Sequence, residues 1–107
     1  MAQFIISYIG GNQPATPEEG KNHFAKYMTW LGSLGTQAVS PANPFKATRI
    51  VHPDGSVTVG SKTAMSGYTT IEAASMEQAL AIAKACPFLD MGGSLEVSEI
   101  MQMPGMS

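Results

Sequence analysis

The chain has 107 residues, a net charge of −2 and 13% charged residues against 44% apolar ones. That length suits a single domain, and the slight acidic balance without a basic patch lacks the electrostatic footprint of a nucleic-acid binder. One cysteine leaves no internal disulfide and no cysteine-based zinc site. The shortage of charge leaves less solvating surface than usual, which points to a buried subunit interface. Apolar runs such as residues 4–9 are too short to span a bilayer. No basic segment precedes an apolar one near Met1. The expectation is a cytoplasmic protein that touches no membrane and no nucleic acid.

Residues 2–9 form the first predicted strand. Phe4, Ile6 and Tyr8 alternate with Ile5, Ser7 and Ile9, and apolar residues on both faces argue for a central, largely covered strand. Gly10, Gly11 and Asn12 end it. Thr16-Pro17-Glu18-Glu19 then starts a helix: Thr16 caps, Pro17 occupies the first turn, and two acids meet the positive end of the dipole. The helix is predicted to run to about Leu34, with Phe24, Tyr27, Met28, Leu31 and Leu34 as its apolar stripe. Gly20 and Gly32 each weaken it by roughly 1 kcal/mol relative to alanine, so packing must hold it.

Residues 37–45, with Ser40-Pro41 and Asn43-Pro44, read as a loop. Residues 47–51 and 56–59 pair as a hairpin across His52-Pro53-Asp54-Gly55, where Pro53 presets one dihedral angle and Gly55 takes the positive one. Residues 68–74 are rich in aromatic and β-branched side chains and read as a strand. Ser75 and Gln78 match a capping box, with the Gln78 side chain reaching back to the Ser75 amide. Ala79, Leu80, Ile82, Ala83 and Cys86 form the buried stripe of the second helix. Lys84 suits the negative end of its dipole, and Pro87 stops it. Gly92-Gly93 turns the chain into a last strand, where Leu95 and Val97 alternate with Ser94, Glu96 and Ser98. The order gives an α+β fold. It is a ferredoxin-like βαββαβ arrangement with an added β-hairpin, an antiparallel sheet carrying two helices on one face. The domain fills residues 1–102, and residues 103–107 are expected to be a flexible tail.

His23 is the foremost candidate for chemistry, because imidazole exchanges protons near neutral pH. Glu19 lies one helical turn before it and Tyr27 one turn after. An exposed Glu19–His23 helix pair is the competing structural reading. Tyr27 and Trp30 follow His23 along the helix as candidate substrate-binding aromatics, with the core edge as the alternative for Trp30. Cys86 sits at a helix C-terminus, where thiolates are not favoured, and reads as a small buried apolar group. Asp90 is a second catalytic candidate at the end of that helix, against the reading of a solvated turn acid. His52, Asp54 and His23 lack metal-ligand spacing. No metal and no organic cofactor is expected.

Taken together, these features resemble the YCII-related family. The resemblance rests on the short first strand, the Thr-Pro-Glu-Glu helix and the His-Pro-Asp-Gly hairpin. It rests also on Gly67-Tyr68 with its strand, the Ala-rich helix after Ser75, Cys86-Pro87, Gly92-Gly93 and Leu95-Glu96-Val97. The resemblance covers nearly the whole chain. It implies a homodimer of the dimeric α/β-barrel superfamily, in which two sheets pack face to face. It also implies a small-molecule ligand. Some relatives pair a histidine on the first helix with an aspartate before a proline at the end of the second, and related enzymes act on small cyclic or chlorinated hydroxy compounds. His23 matches that histidine approximately, and Cys86 stands at the aspartate position. The Asp-Gly-Pro-Phe motif of the nearest subgroup is replaced by Gly60-Ser61-Lys62-Thr63-Ala64-Met65. Two functions follow as expectations. One is a His23-dependent lyase or isomerase acting on small cyclic or hydroxylated acids. The other is a non-catalytic binding or accessory module.

Overall fold

The computed structural model describes residues 2–102, so the expected tail at residues 103–107 lies outside the described residues. The four-stranded sheet is built from β1 (Ala2–Gly10), β2 (Ala38–Pro44), β5 (Met65–Ala73) and β6 (Gly93–Glu99), in the order β2-β5-β1-β6. Every pairing within it is antiparallel. The two helices, α1 (Pro17–Leu34) and α2 (Met76–Lys84), are the α layer of an α+β, ferredoxin-like fold. The short strands β3 (Arg49–Val51) and β4 (Val57–Val59) pair only with each other. This is the added hairpin, standing apart from the main sheet.

The core lies between the sheet and the two helices. Phe4, Ile6 and Tyr8 of β1 and Ile71 and Ala73 of β5 pack against Trp30, Leu31 and Leu34 of α1, Ala79 and Ala83 of α2, and Cys86. Small alanines on α2 let its backbone lie close to the sheet. The opposite side of β1 carries Ile5 and Ile9, which are only half-buried.

Local capping explains where the helices begin. The Thr16 hydroxyl accepts from the Glu19 amide at 3.1 Å, and the Glu19 carboxylate accepts from the Ala15 amide at 2.9 Å. At α2 the Ser75 hydroxyl accepts from the Gln78 amide at 3.2 Å. The Gln78 side chain accepts from the Ala74 amide, one residue earlier than the capping box predicts.

Two expectations are corrected. Residues 37–45 are not a loop: after a 3-10 turn (Gly35–Gln37) the chain forms β2, an outer strand of the sheet. Pro41 and Pro44 suggested a loop because they lack amide hydrogens. An edge strand tolerates them, and the β2–β5 register shifts twice around them. The buried stripe of α1 is also turned from the predicted one. Trp30 is buried, whereas Phe24 and Met28 are 62% and 49% exposed.

The predicted hairpin turn uses its polar groups locally. One Asp54 carboxylate oxygen accepts from the Ser56 hydroxyl and amide, which holds that carboxyl below its usual range. His52 Nε2 lies 2.9 Å from the Thr58 hydroxyl. Among the described residues, no helix is long and apolar enough to cross a membrane.

Candidate functional site

A cavity of about 280 Å³ opens between the first half of α1 and the end of the sheet where β1, β2 and β5 meet. Helix α1 supplies Gly20, His23, Phe24 and Tyr27, residues spaced so that one side of the helix faces the cavity. Tyr8 comes from β1, Asn43 and Pro44 from β2, and Ser66 and Gly67 from β5. Phe88, from the 3-10 turn after α2 (Pro87–Met91), closes the far wall. Among the described residues, the lining holds no carboxylate, lysine or arginine.

Glycines make this arrangement possible. A Cβ on Gly67 would lie 2.8 Å from the Asn43 carbonyl oxygen, a backbone atom that cannot move aside. Gly67 therefore lets β2 approach β5 closely enough to form the wall. A Cβ on Gly11 would lie 2.9 Å from Phe88 Cζ, so the Phe88 ring rests in a slot left by a missing side chain. From there it meets the Tyr8 ring edge to face, with centroids 5.2 Å apart and planes 70° apart.

The polar groups form a line. Tyr27 Oη is 3.1 Å from Tyr8 Oη, Tyr8 Oη is 2.5 Å from Thr69 Oγ1, and Thr69 Oγ1 donates to the Pro41 carbonyl at 2.6 Å. Burial raises the Tyr8 phenol far above its ordinary range, so Tyr8 stays protonated at any physiological pH. His23 is half-buried, and no hydrogen bond ties its ring to another described residue. The Glu19 carboxylate is occupied by the Ala15 amide.

The structure thus brings His23 and Tyr27 together on one cavity wall. It puts the other two candidates elsewhere. Trp30 is 6% exposed, its Nε1 donates to the Ile82 carbonyl at 3.1 Å, and its ring packs behind Tyr27 with centroids 5.9 Å apart. Trp30 is a core residue that supports a wall residue. Asp90 is exposed in the 3-10 turn and is not part of the lining. Cys86 is buried, and burial pushes its thiol up to about 11.

Tyr8, Asn43, Ser66 and Phe88 line the cavity although sequence reasoning did not single them out. Tyr8 carried a signal: it is the one residue with a hydroxyl among Phe4, Ile6 and Tyr8 on the inner face of a central strand. A buried phenol needs a partner.

No family model matches the chain, and no curated protein matches it. Among solved structures it is similar to the 5-chloro-2-hydroxyhydroquinone dehydrochlorinase of Burkholderia phenoliruptrix AC1100, determined in complex with 2,5-dihydroxybenzoquinone. The two share 15% identity, with a TM-score of 0.59 over 94% of this chain and 95% of that one. The likeness is one of fold, and it extends from end to end.

Proposed function

We propose that the cavity beneath α1 binds a small, uncharged ring compound bearing hydroxyl groups, and that His23 moves protons on it. The observation that carries this reading is that His23 and Tyr27 share one wall of a cavity that Tyr8, Phe24 and Phe88 also line. An apolar cavity of roughly 150 Å³ holds benzene, so about 280 Å³ suits one substituted ring. Without a lysine or arginine in the lining, a carboxylate ligand would have little to pair with, which favours neutral hydroxyl compounds over acids. The fold likeness to a dehydrochlorinase of a hydroxylated ring lends support at the level of ligand class.

In this reading the protein is a homodimeric small-ligand protein of the YCII-related type. Two copies meet through the sheet face that the helices leave open. His23 takes a proton from one atom of the ring compound; in isomerase chemistry it returns that proton to another atom, and in lyase chemistry the released electron pair forms a new double bond as a leaving group departs and takes the proton. Tyr27 orients a ligand hydroxyl beside it. No metal or organic cofactor has a part in the scheme. His23→Ala should abolish turnover of hydroquinone-type compounds while leaving the unfolding midpoint within a degree or two. Unchanged turnover in that variant would remove the role of His23.

A second reading has its own support. Relatives with a proposed histidine–aspartate pair have the carboxylate where this chain has Cys86, whose thiol is buried and protonated. A cavity without a carboxylate suits a binding or accessory module. In that case hydroquinone binds to the wild-type protein, no turnover appears over days, and His23→Ala weakens affinity only modestly.

A further inference from the structure

The line of oxygens running from Tyr27 to Pro41 has a direction, and that direction bears on what the cavity selects. Four oxygens are separated by three gaps of 3.1, 2.5 and 2.6 Å. Three hydroxyls supply three protons, one for each gap. The Pro41 carbonyl at the inner end can only accept. Thr69 must therefore donate to Pro41, Tyr8 must donate to Thr69, and Tyr27 must donate to Tyr8. No other arrangement puts a proton in every gap. Tyr27 Oη then has no proton left for the cavity and presents only a lone pair there.

We propose that Thr69 is a specificity-determining residue: by fixing the direction of this chain it makes Tyr27 Oη, on the cavity wall, a hydrogen-bond acceptor, and this position selects ring compounds that donate a hydroxyl proton to it. Thr69 is fully buried and is not part of the cavity lining, so it acts through Tyr8 and Tyr27 as a positioning residue. The inference rests on the reading of the cavity as a ligand site and goes beyond it, because it states which hydrogen-bonding character the ligand has. An ether or ketone oxygen placed at Tyr27 Oη offers only lone pairs to an atom that also offers only lone pairs. Such a mismatch leaves polar atoms unpaired.

Thr69→Val keeps the shape and removes both the acceptor for Tyr8 and the donor to Pro41. The Tyr8 proton then turns to Tyr27 Oη, and the Tyr27 proton is released toward the cavity, which becomes a donor. Thr69→Ser retains the hydroxyl and should behave as wild type. The probes are phenol and anisole, one ring with and without a hydroxyl proton, titrated into the full chain while the resonances of cavity residues are followed by NMR. Wild type and Thr69→Ser should bind phenol about tenfold more tightly than anisole, one hydrogen bond's difference. In Thr69→Val the ratio should fall to about one or invert. Equal affinity for the two probes in wild type, or a wild-type ratio in folded Thr69→Val, overturns the proposal. Should Thr69→Val fail to fold, Tyr27→Phe decides in its place: it must erase the preference of phenol over anisole, and a preference that survives overturns the proposal.

One readout needs no ligand. The Tyr8 hydroxyl proton should show cross-relaxation to the Thr69 β proton, and stronger cross-relaxation to the Tyr27 ring sinks the assigned direction. If the direction is right and neither probe shifts a cavity resonance, the ligand-site reading has failed, and the specificity assignment falls with it.

Discussion

The two faces of the sheet are finished to different degrees. On the helix side, Phe4, Ile6, Ile71 and Ala73 are fully buried. On the other side, Ile5, Ile9, Tyr68 and Thr70 remain half-buried, and the neighbouring Ser94, Glu96 and Ser98 are exposed. The first face is closed by the chain's own helices, and on the second Ser7 is buried and Phe45 packs beside Tyr68 while the rest stays partly open. The helix side also closes incompletely in one place. The first half of α1, with Phe24 at 62% exposure, is where the cavity lies. Stability therefore comes from the back of the helix layer, and any function at the cavity comes from its front. The open face is the surface we assign to a second copy.

The sharpest contrast lies in the cost of truncation. Phe4→Ala on the helix side should destabilise by about 3–5 kcal/mol in urea unfolding, because a ring with no solvent exposure leaves a void behind. Ile5→Ala, one residue along and on the other face, should cost less than half of that in the monomer. Similar costs at the two positions would erase the distinction between the faces. Next in size is the effect on assembly. Ile5→Lys should convert a dimer to a folded monomer in sedimentation at micromolar concentration, with the far-ultraviolet spectrum unchanged. A wild-type protein that is already monomeric there would contradict the assignment of the open face. Gly67→Ala should cost about 1–3 kcal/mol, as overpacking against backbone does, and should weaken ligand binding by pushing β2 away from β5. The smallest effect is one of pH. The Cys86 thiol, raised from 9.0 to about 11 by burial, contributes stability that is complete below about pH 9. Between pH 9 and 11 the unfolded chain loses this proton while the folded chain keeps it, so stability falls as pH rises through that window. Cys86→Ala should flatten the decline, and an equally steep fall in that variant would assign it to other groups.

The frame of the fold was legible because local signals agreed with one another. Thr16-Pro17-Glu18-Glu19 and Ser75 mark helix starts with side chains that satisfy specific amides, and both helices begin where those residues predict. Apolar residues on both faces of residues 2–9, Phe4, Ile6 and Tyr8 against Ile5 and Ile9, identified a central strand, although the face with Ile5 and Ile9 is only half-buried. β2 was not legible, since two prolines in seven residues speak against a strand unless it is known to be an outer one. Position at the sheet edge is a property of topology and is not written in the segment itself.

The site was legible in part for a similar reason. His23 and Tyr27 lie one helical turn apart, and local geometry suffices to place them on one side. Trp30 is three residues further, and its burial depends on how α1 rolls against α2, which the helix alone does not determine. Asp90 was chosen for being near the end of α2, whereas the turn after α2 directs Phe88 to the cavity and leaves Asp90 in solvent. The Tyr8–Thr69 contact joins residues 61 positions apart, and pairing of the two strands is what brings them together.

The most direct test of the account is a crystal structure of the protein grown with hydroquinone. The account predicts the ring inside the cavity against Phe88, with one hydroxyl within about 3 Å of Tyr27 Oη and the His23 ring within reach of the ligand. Hydroquinone seated on the open sheet face, or a cavity that stays empty at saturating concentration, would contradict it.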